Sequence, residues 1–222
     1  MLSRFRLSII IFLLFLFTGC ARQIPLYEQL PELSFSDHEK VLISVVDNRW
    51  RIKAGKPKEF IGTAHANFGL TQLDWDVARV LATEDEDRMR SLSQWLEHRI
   101  VNSFRIAGWY YSEVVYLDKV PSEVDAKNIL EDNQASALML FDLNEWFIDM
   151  SIGLAPVLNF NTNTNTYIYK PGVGKVLEKN FKSRNAAKLS GNQSPQDAII
   201  KAYKVQLQKI LTDRAVKESL VR

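Results

Sequence analysis

Cysteine is nearly absent from this chain, with Cys20 the single one among 222 residues. One cysteine closes no intrachain disulfide and builds no thiolate metal cluster, so the fold must hold by its core. Histidine is scarce as well: His38, His65 and His98 are the only ones. They form neither H-E-x-x-H nor a His-x-x-x-His pair, which removes the helical zinc motifs. No apolar run reaches the roughly 20 residues a helix needs to cross a bilayer. No G-x-S-x-G elbow is found. Gly172-Val173-Gly174-Lys175 has the ending of a phosphate-binding loop without its start. Tyr169 stands where the first glycine belongs, and Val176 where a Ser or Thr would hold Mg²⁺. Five Trp and twelve Phe, with 46% hydrophobic residues, are ample for one core.

The amino terminus is more informative. Arg4 and Arg6 precede Leu7 to Phe17, 11 residues without a charge. That is too short to span a membrane and is followed by small residues, as in an export signal. Phe17-Thr18-Gly19-Cys20 resembles a lipobox, with Phe17 departing from the usual leucine. The resemblance implies cleavage before Cys20 and acylation of its thiol and amine, giving a membrane anchor. A plain secreted protein and an uncleaved signal anchor are the alternatives. Ala21, where an aspartate would imply inner-membrane retention, points to the outer membrane, with the protein facing the periplasm. Residues 1–19 hold two basic and no acidic groups, so 28 Lys+Arg against 26 Asp+Glu becomes 26 against 26. A neutral mature chain gives no argument for a nucleic-acid partner.

Residues 20–39, with Pro25 and Pro31 and no periodicity, read as the lipidated cysteine and a tether. Residues 40–212 read as one periplasmic domain and 213–222 as a tail. Val41 to Val46 is a β-branched apolar run, hence a buried strand ending at Asp47-Asn48-Arg49. Phe60 to Phe68 suggests a second strand; residues 70–82 fit no pattern. A helix is expected over 84–107, capped by Thr83 and Glu86, with Met89, Leu92, Leu96, Ile100 and Phe104 as its apolar stripe. Strands are expected at 112–117 and 135–147, with a short helix from Pro121-Ser122 between them. Pro156 to Tyr169 and Val173 to Phe181 read as a hairpin. Ser194-Pro195 opens a last helix with Ile199, Tyr203, Leu207 and Ile210 inward. The order predicts an α+β fold: a mostly antiparallel sheet with two long helices packed on one face, preceded by signal peptide and tether.

The lipobox, the strand ending in Asp47-Asn48-Arg49, the Phe60-Ile61-Gly62 segment and the helix closing at Ala107-Gly108-Trp109 together resemble small lipoproteins of the YajG type. A remoter likeness is to the TolB amino-terminal and CsgG periplasmic domains. The resemblance implies a non-enzymatic envelope lipoprotein associated with larger assemblies, and supplies no catalytic residues. It does not account for residues 70–82 or for the hairpin's first arm. There Asn159, Asn161, Asn163 and Asn165 alternate with Phe160, Thr162, Thr164 and Thr166. Period-2 alternation puts the amides on one sheet face, and Asn161, Asn163 and Asn165 are the candidate contacts for a partner or ligand. A merely polar outer face is the plainer reading.

The expected function is therefore that of an accessory or assembly component of the cell envelope, with an envelope protein as partner, no cofactor and no enzymatic activity. The alternative is a glycan- or lipid-binding module using the asparagine face and aromatics such as Trp146. A hydrolase would have to use His65, which lies between Gly62 and Gly69, with Asp47 on a neighbouring element.

Overall fold

The computed structural model describes residues 24–37, 39–66, 69–153, 156–189 and 193–221. The export signal of residues 1–19, Cys20 and His38 lie outside the described residues. The chain forms α1 (Leu26–Gln29), β1 (Val41–Asp47), α2 (Trp50–Lys53), β2 (Phe60–Ala66) and β3 (Thr71–Asp76). After two irregular helical turns at Val77–Leu81 and Asp85–Met89 come α3 (Leu92–Ile106), β4 (Glu113–Val114) and α4 (Glu123–Asp132). The remainder is β5 (Ala137–Ser151), β6 (Val157–Lys170), β7 (Gly174–Lys188), α5 (Pro195–Leu211) and α6 (Arg214–Val221).

The fold is α+β, built on one seven-stranded mixed sheet. β5 is its spine. Along one edge it pairs antiparallel with β6, from Leu138↔Tyr169 to Ser151↔Val157, and β6 pairs antiparallel with β7. Along the other edge it pairs parallel first with β1, up to Asp47↔Leu143, and then with β2, from Gly62↔Ile148. β1 and β2 thus occupy one lane end to end. Antiparallel β3 flanks β2, and a short parallel β4 flanks β1. Antiparallel ladders dominate by length, whereas the centre is parallel.

Arg49 fills the break in that lane. Its guanidinium grips Asp47 through Nε (2.8 Å) and Nη2 (2.7 Å). It also donates to the carbonyls of Phe60 (2.6 Å), Trp146 (3.3 Å) and Lys58 (3.3 Å). Phe60 and Trp146 are buried, so Arg49 supplies donors where solvent cannot, whereas the Lys58 carbonyl also accepts from Leu92 N–H at 3.2 Å. Gly62 follows because β2 meets β5 at close quarters: a Cβ there would overlap the Ile148 carbonyl.

Both long helices pack on one face. Trp95 of α3 meets Tyr203 of α5 edge-on at 5.6 Å, and Tyr203 stacks on Phe160 of β6 at 4.8 Å. Trp146 completes this group, 5.3 Å from Tyr203. On the opposite face α4 covers only one end of the sheet, with Ala126 and Leu130 against Leu42, Leu138 and Tyr169.

Several elements depart from expectation. α3 begins at Leu92 rather than near 84, and its capping box is Ser91 with Gln94. Thr83 and Glu86 do not cap it, and Met89, expected in the apolar stripe, is exposed. The strand at 112–117 shortens to β4. The hairpin's second arm runs on to Lys188, and Ser194 stands at the N-cap without a side-chain cap bond. The segment expected to be a tether is docked instead, with Gln29, Leu30, Pro31 and Phe35 buried. The expected tail is α6, which buries Val216 and Leu220.

Candidate partner-binding face

β6 divides its side chains cleanly. Thr162, Thr164 and Thr166 are buried beneath the helices, where Thr164 Oγ1 accepts from Trp146 Nε1 at 2.6 Å. The asparagines face the other way and are partly exposed, as their spacing predicts. Strand register arranges that outer face in rows across β5, β6 and β7. They read Phe147–Asn161–Arg184, Glu145–Asn163–Lys182 and Asp142–Asn165–Asn180. The structure therefore brings Asn161, Asn163 and Asn165 together on one uncovered surface.

The rows differ in how far they are satisfied. Asn180 Nδ2 bridges the side-chain oxygens of Asn163 and Asn165, at 2.7 Å each. Asp142 accepts from Asn48 (2.7 Å) and from Asn165 (3.4 Å), so the lower row is a closed network. In the upper rows Arg51 pairs with Glu145 at 2.6 Å and lies over the Phe147 ring at 3.6 Å. The same guanidinium lies 4.4 Å from the ring centroid of Trp50, a residue 58% exposed. Among the described residues, the side chains of Asn161, Lys182 and Arg184 have no hydrogen-bond or ion-pair partner. They line an open hollow of about 490 Å³ with Arg51 and Glu145. Its chemistry is amide and guanidinium donors beside a single carboxylate, suited to polar, partly anionic surfaces.

The other candidates resolve differently. His65 does not meet Asp47, which Arg49 holds; its Nε2 lies 3.0 Å from Asp149 Oδ1 near the rim of the same face. Trp146 is buried in the core and is not available to a ligand. Sequence reasoning missed a buried polar cluster under the amino-terminal segment. Arg99 and Asp87 are fully buried and doubly bonded, at 2.8 and 2.6 Å. Gln29 accepts from Arg99 (3.2 and 2.8 Å) and donates to Thr83 Oγ1 (2.7 Å). Burial alone would raise the Asp87 carboxyl, but the bonds and charge of Arg99, with Thr83 N–H and Arg90, hold it below its ordinary value. His98 is pushed down to about 4 by burial and by Arg90 and Arg99, so it is neutral at pH 7. Glu84, Asp87 and His98 bring ligand atoms within 4.8 Å of one another. Arg90 and Arg99 already pair with Asp87, and Arg99 Nη1 lies 2.8 Å from His98 Nδ1, so the cluster is built as an ion-pair network. Glu97 is likewise buried, accepting from Val45 N–H at 2.9 Å, and burial raises it to about 7.

No family model matches the chain, and no curated protein matches it. Among solved structures it is similar to a Xanthomonas campestris protein of the DUF330 family, at 10% identity and a TM-score of 0.43, covering 85% of this chain and 86% of that one. It is also similar to the PelC dodecamer of Paraburkholderia phytofirmans, at 11% identity and a TM-score of 0.37, covering 83% and 95%. A third likeness is to lipoprotein GNA1162 of Neisseria meningitidis, at 9% identity and a TM-score of 0.27, covering 79% and 99%.

Proposed function

We propose that this chain is a non-enzymatic accessory lipoprotein of the bacterial envelope. Acylated Cys20 anchors it in the outer membrane, facing the periplasm, and the asparagine face of its sheet binds an envelope protein. The amino-terminal motif supports the anchor. The observation that carries the binding role is the uncovered face itself, where Asn161, Lys182 and Arg184 stand unsatisfied beside Glu145 and Arg51. The mixed charge of an open hollow spread over three strands suits a protein surface, where complementary charges set register and partner choice. A glycan-binding module is the second reading, favoured by the exposed ring of Trp50 at the rim of the amide rows.

Purification from detergent-solubilised membranes tests this, comparing wild type with an Asn163→Arg, Lys182→Glu, Arg184→Glu variant. Co-purification of a stoichiometric protein with the wild type alone is the expected result. A monomer that retains peptidoglycan or another glycan, lost in the variant, would replace this reading with the second. A partner held equally by both would remove the amide face from the account.

A further inference from the structure

The described chain starts at Ile24, four residue steps after Cys20. Four extended steps reach at most about 14 Å, at about 3.6 Å each. An acyl group on Cys20 would therefore hold Ile24 close to the bilayer surface. Ile24 is not free to drift from the domain. Its carbonyl accepts from Gln29 Nε2 at 2.8 Å, and Gln29 is locked into the Arg99–Asp87 cluster. Farther on, Glu32 N–H donates to Gln208 Oε1 of α5 at 2.5 Å, and Gln208 Nε2 donates back to the Glu32 carbonyl at 2.6 Å. The anchor's exit point is thus fixed over one side of α5.

We infer that this side of α5, with the amino-terminal segment beside it, is the bilayer-facing surface and rests on phospholipid headgroups. The inference rests on the lipid-anchor reading above. Asp197, Lys201, Lys204, Val205 and Gln208 recur at helical spacings and form the outer stripe of α5. With Ile24 and Glu28 they border a hollow of about 410 Å³ floored by Ile200. Val205 is 53% exposed, an apolar group on an otherwise polar stripe. The charges are of both signs, Lys201 and Lys204 beside Glu28 and Asp197, and Lys204 also pairs with Glu32 at 3.7 Å. That mixture matches a zwitterionic headgroup, which carries a phosphate and an amine, better than a purely anionic one. Tyr27, 68% exposed, adds a ring of the kind that sits at headgroup level. The geometry then orients the whole molecule. Tyr203 of α5 stacks on Phe160, whose neighbours Asn159 and Asn161 point to the other side of the sheet. With α5 toward the lipid, the asparagine face looks away from the membrane and is open to a partner.

The test uses the full-length acylated protein in phosphatidylethanolamine vesicles with a minority of phosphatidylglycerol. Acylated Cys20 does not react with maleimides, so Lys201→Cys, Val205→Cys and Lys182→Cys each carry one fluorophore. A headgroup nitroxide lipid serves as quencher. Quenching at positions 201 and 205 several-fold stronger than at 182 is expected. Equal quenching at all positions, or stronger quenching at 182, on protein whose intact mass shows the acyl groups, overturns the orientation alone. A mass without acyl groups overturns the anchor reading and the orientation with it.

Discussion

Arg49 occupies the gap that β1 and β2 leave on the edge of β5, and its bonds replace those of a strand. The Arg49→Met substitution keeps much of the volume but strands Asp47 and several carbonyls. Breaking a buried pair from one side costs about 3–5 kcal/mol, which urea unfolding should show. Gly62→Ala places a methyl group on the Ile148 carbonyl. A loss of about 2 kcal/mol or more is expected from such overpacking, with amide exchange rising in β2 and β3 first. Glu97 predicts a pH dependence. Its carboxyl is raised from 4.5 to about 7 in the folded protein. Between those values the folded state binds the proton that the unfolded state has released. Glu97's contribution to stability therefore falls as pH rises from about 4.5 to about 7 and levels off above, while His98, held down to about 4, contributes the opposite slope between about 4 and 6.5. Glu97→Gln keeps an acceptor for Val45 N–H and removes the falling contribution, so stability of the variant should rise with pH across this range more steeply than that of the wild type. An unchanged slope in the variant would show that Glu97 is not its source.

The amino-terminal segment is the element whose behaviour the sequence hid. Its prolines and lack of periodicity match a linker, because none of its docking is periodic. Gln29 finds Arg99 and Thr83, and Trp109 Nε1 donates to the Phe35 carbonyl at 3.1 Å. Such contacts depend on partners dozens of residues away and leave no local pattern. Gln29→Ala should cost about 1–3 kcal/mol by leaving Arg99 and Thr83 short of partners. Limited proteolysis should then cut between residues 24 and 37 well before the core unfolds. The start of α3 was misplaced for a related reason. Thr83-x-x-Glu86 and Ser91-x-x-Gln94 both fit the capping pattern. The burial of Asp87 against Arg99 holds the first site in an irregular turn and leaves the second to cap the helix. Ser91→Ala is expected to lose about 1 kcal/mol. Where periodicity was strong, it served well. The inward stripe of α5, the hairpin and the two faces of β6 are as the spacing predicts, so Asn161, Asn163 and Asn165 could be placed on one surface. Lys182 and Arg184 could not be joined to them, since the register between β6 and β7 is a non-local fact.

At the scale of the whole molecule, an uncovered amide face and a docked amino terminus lie on opposite sides of one sheet. With the proposed lipid anchor, the domain sits at the membrane surface rather than on a long leash, and presents the proposed partner-binding face outward. Everything in that arrangement depends on Cys20. The most direct measurement is intact mass with membrane fractionation, on wild type and Cys20→Ala expressed in a Gram-negative host. The account predicts that only the wild type gains the mass of the acyl groups and partitions into the outer membrane. If both forms are soluble and cut at the same point, Cys20 is incidental and the lipoprotein account is wrong.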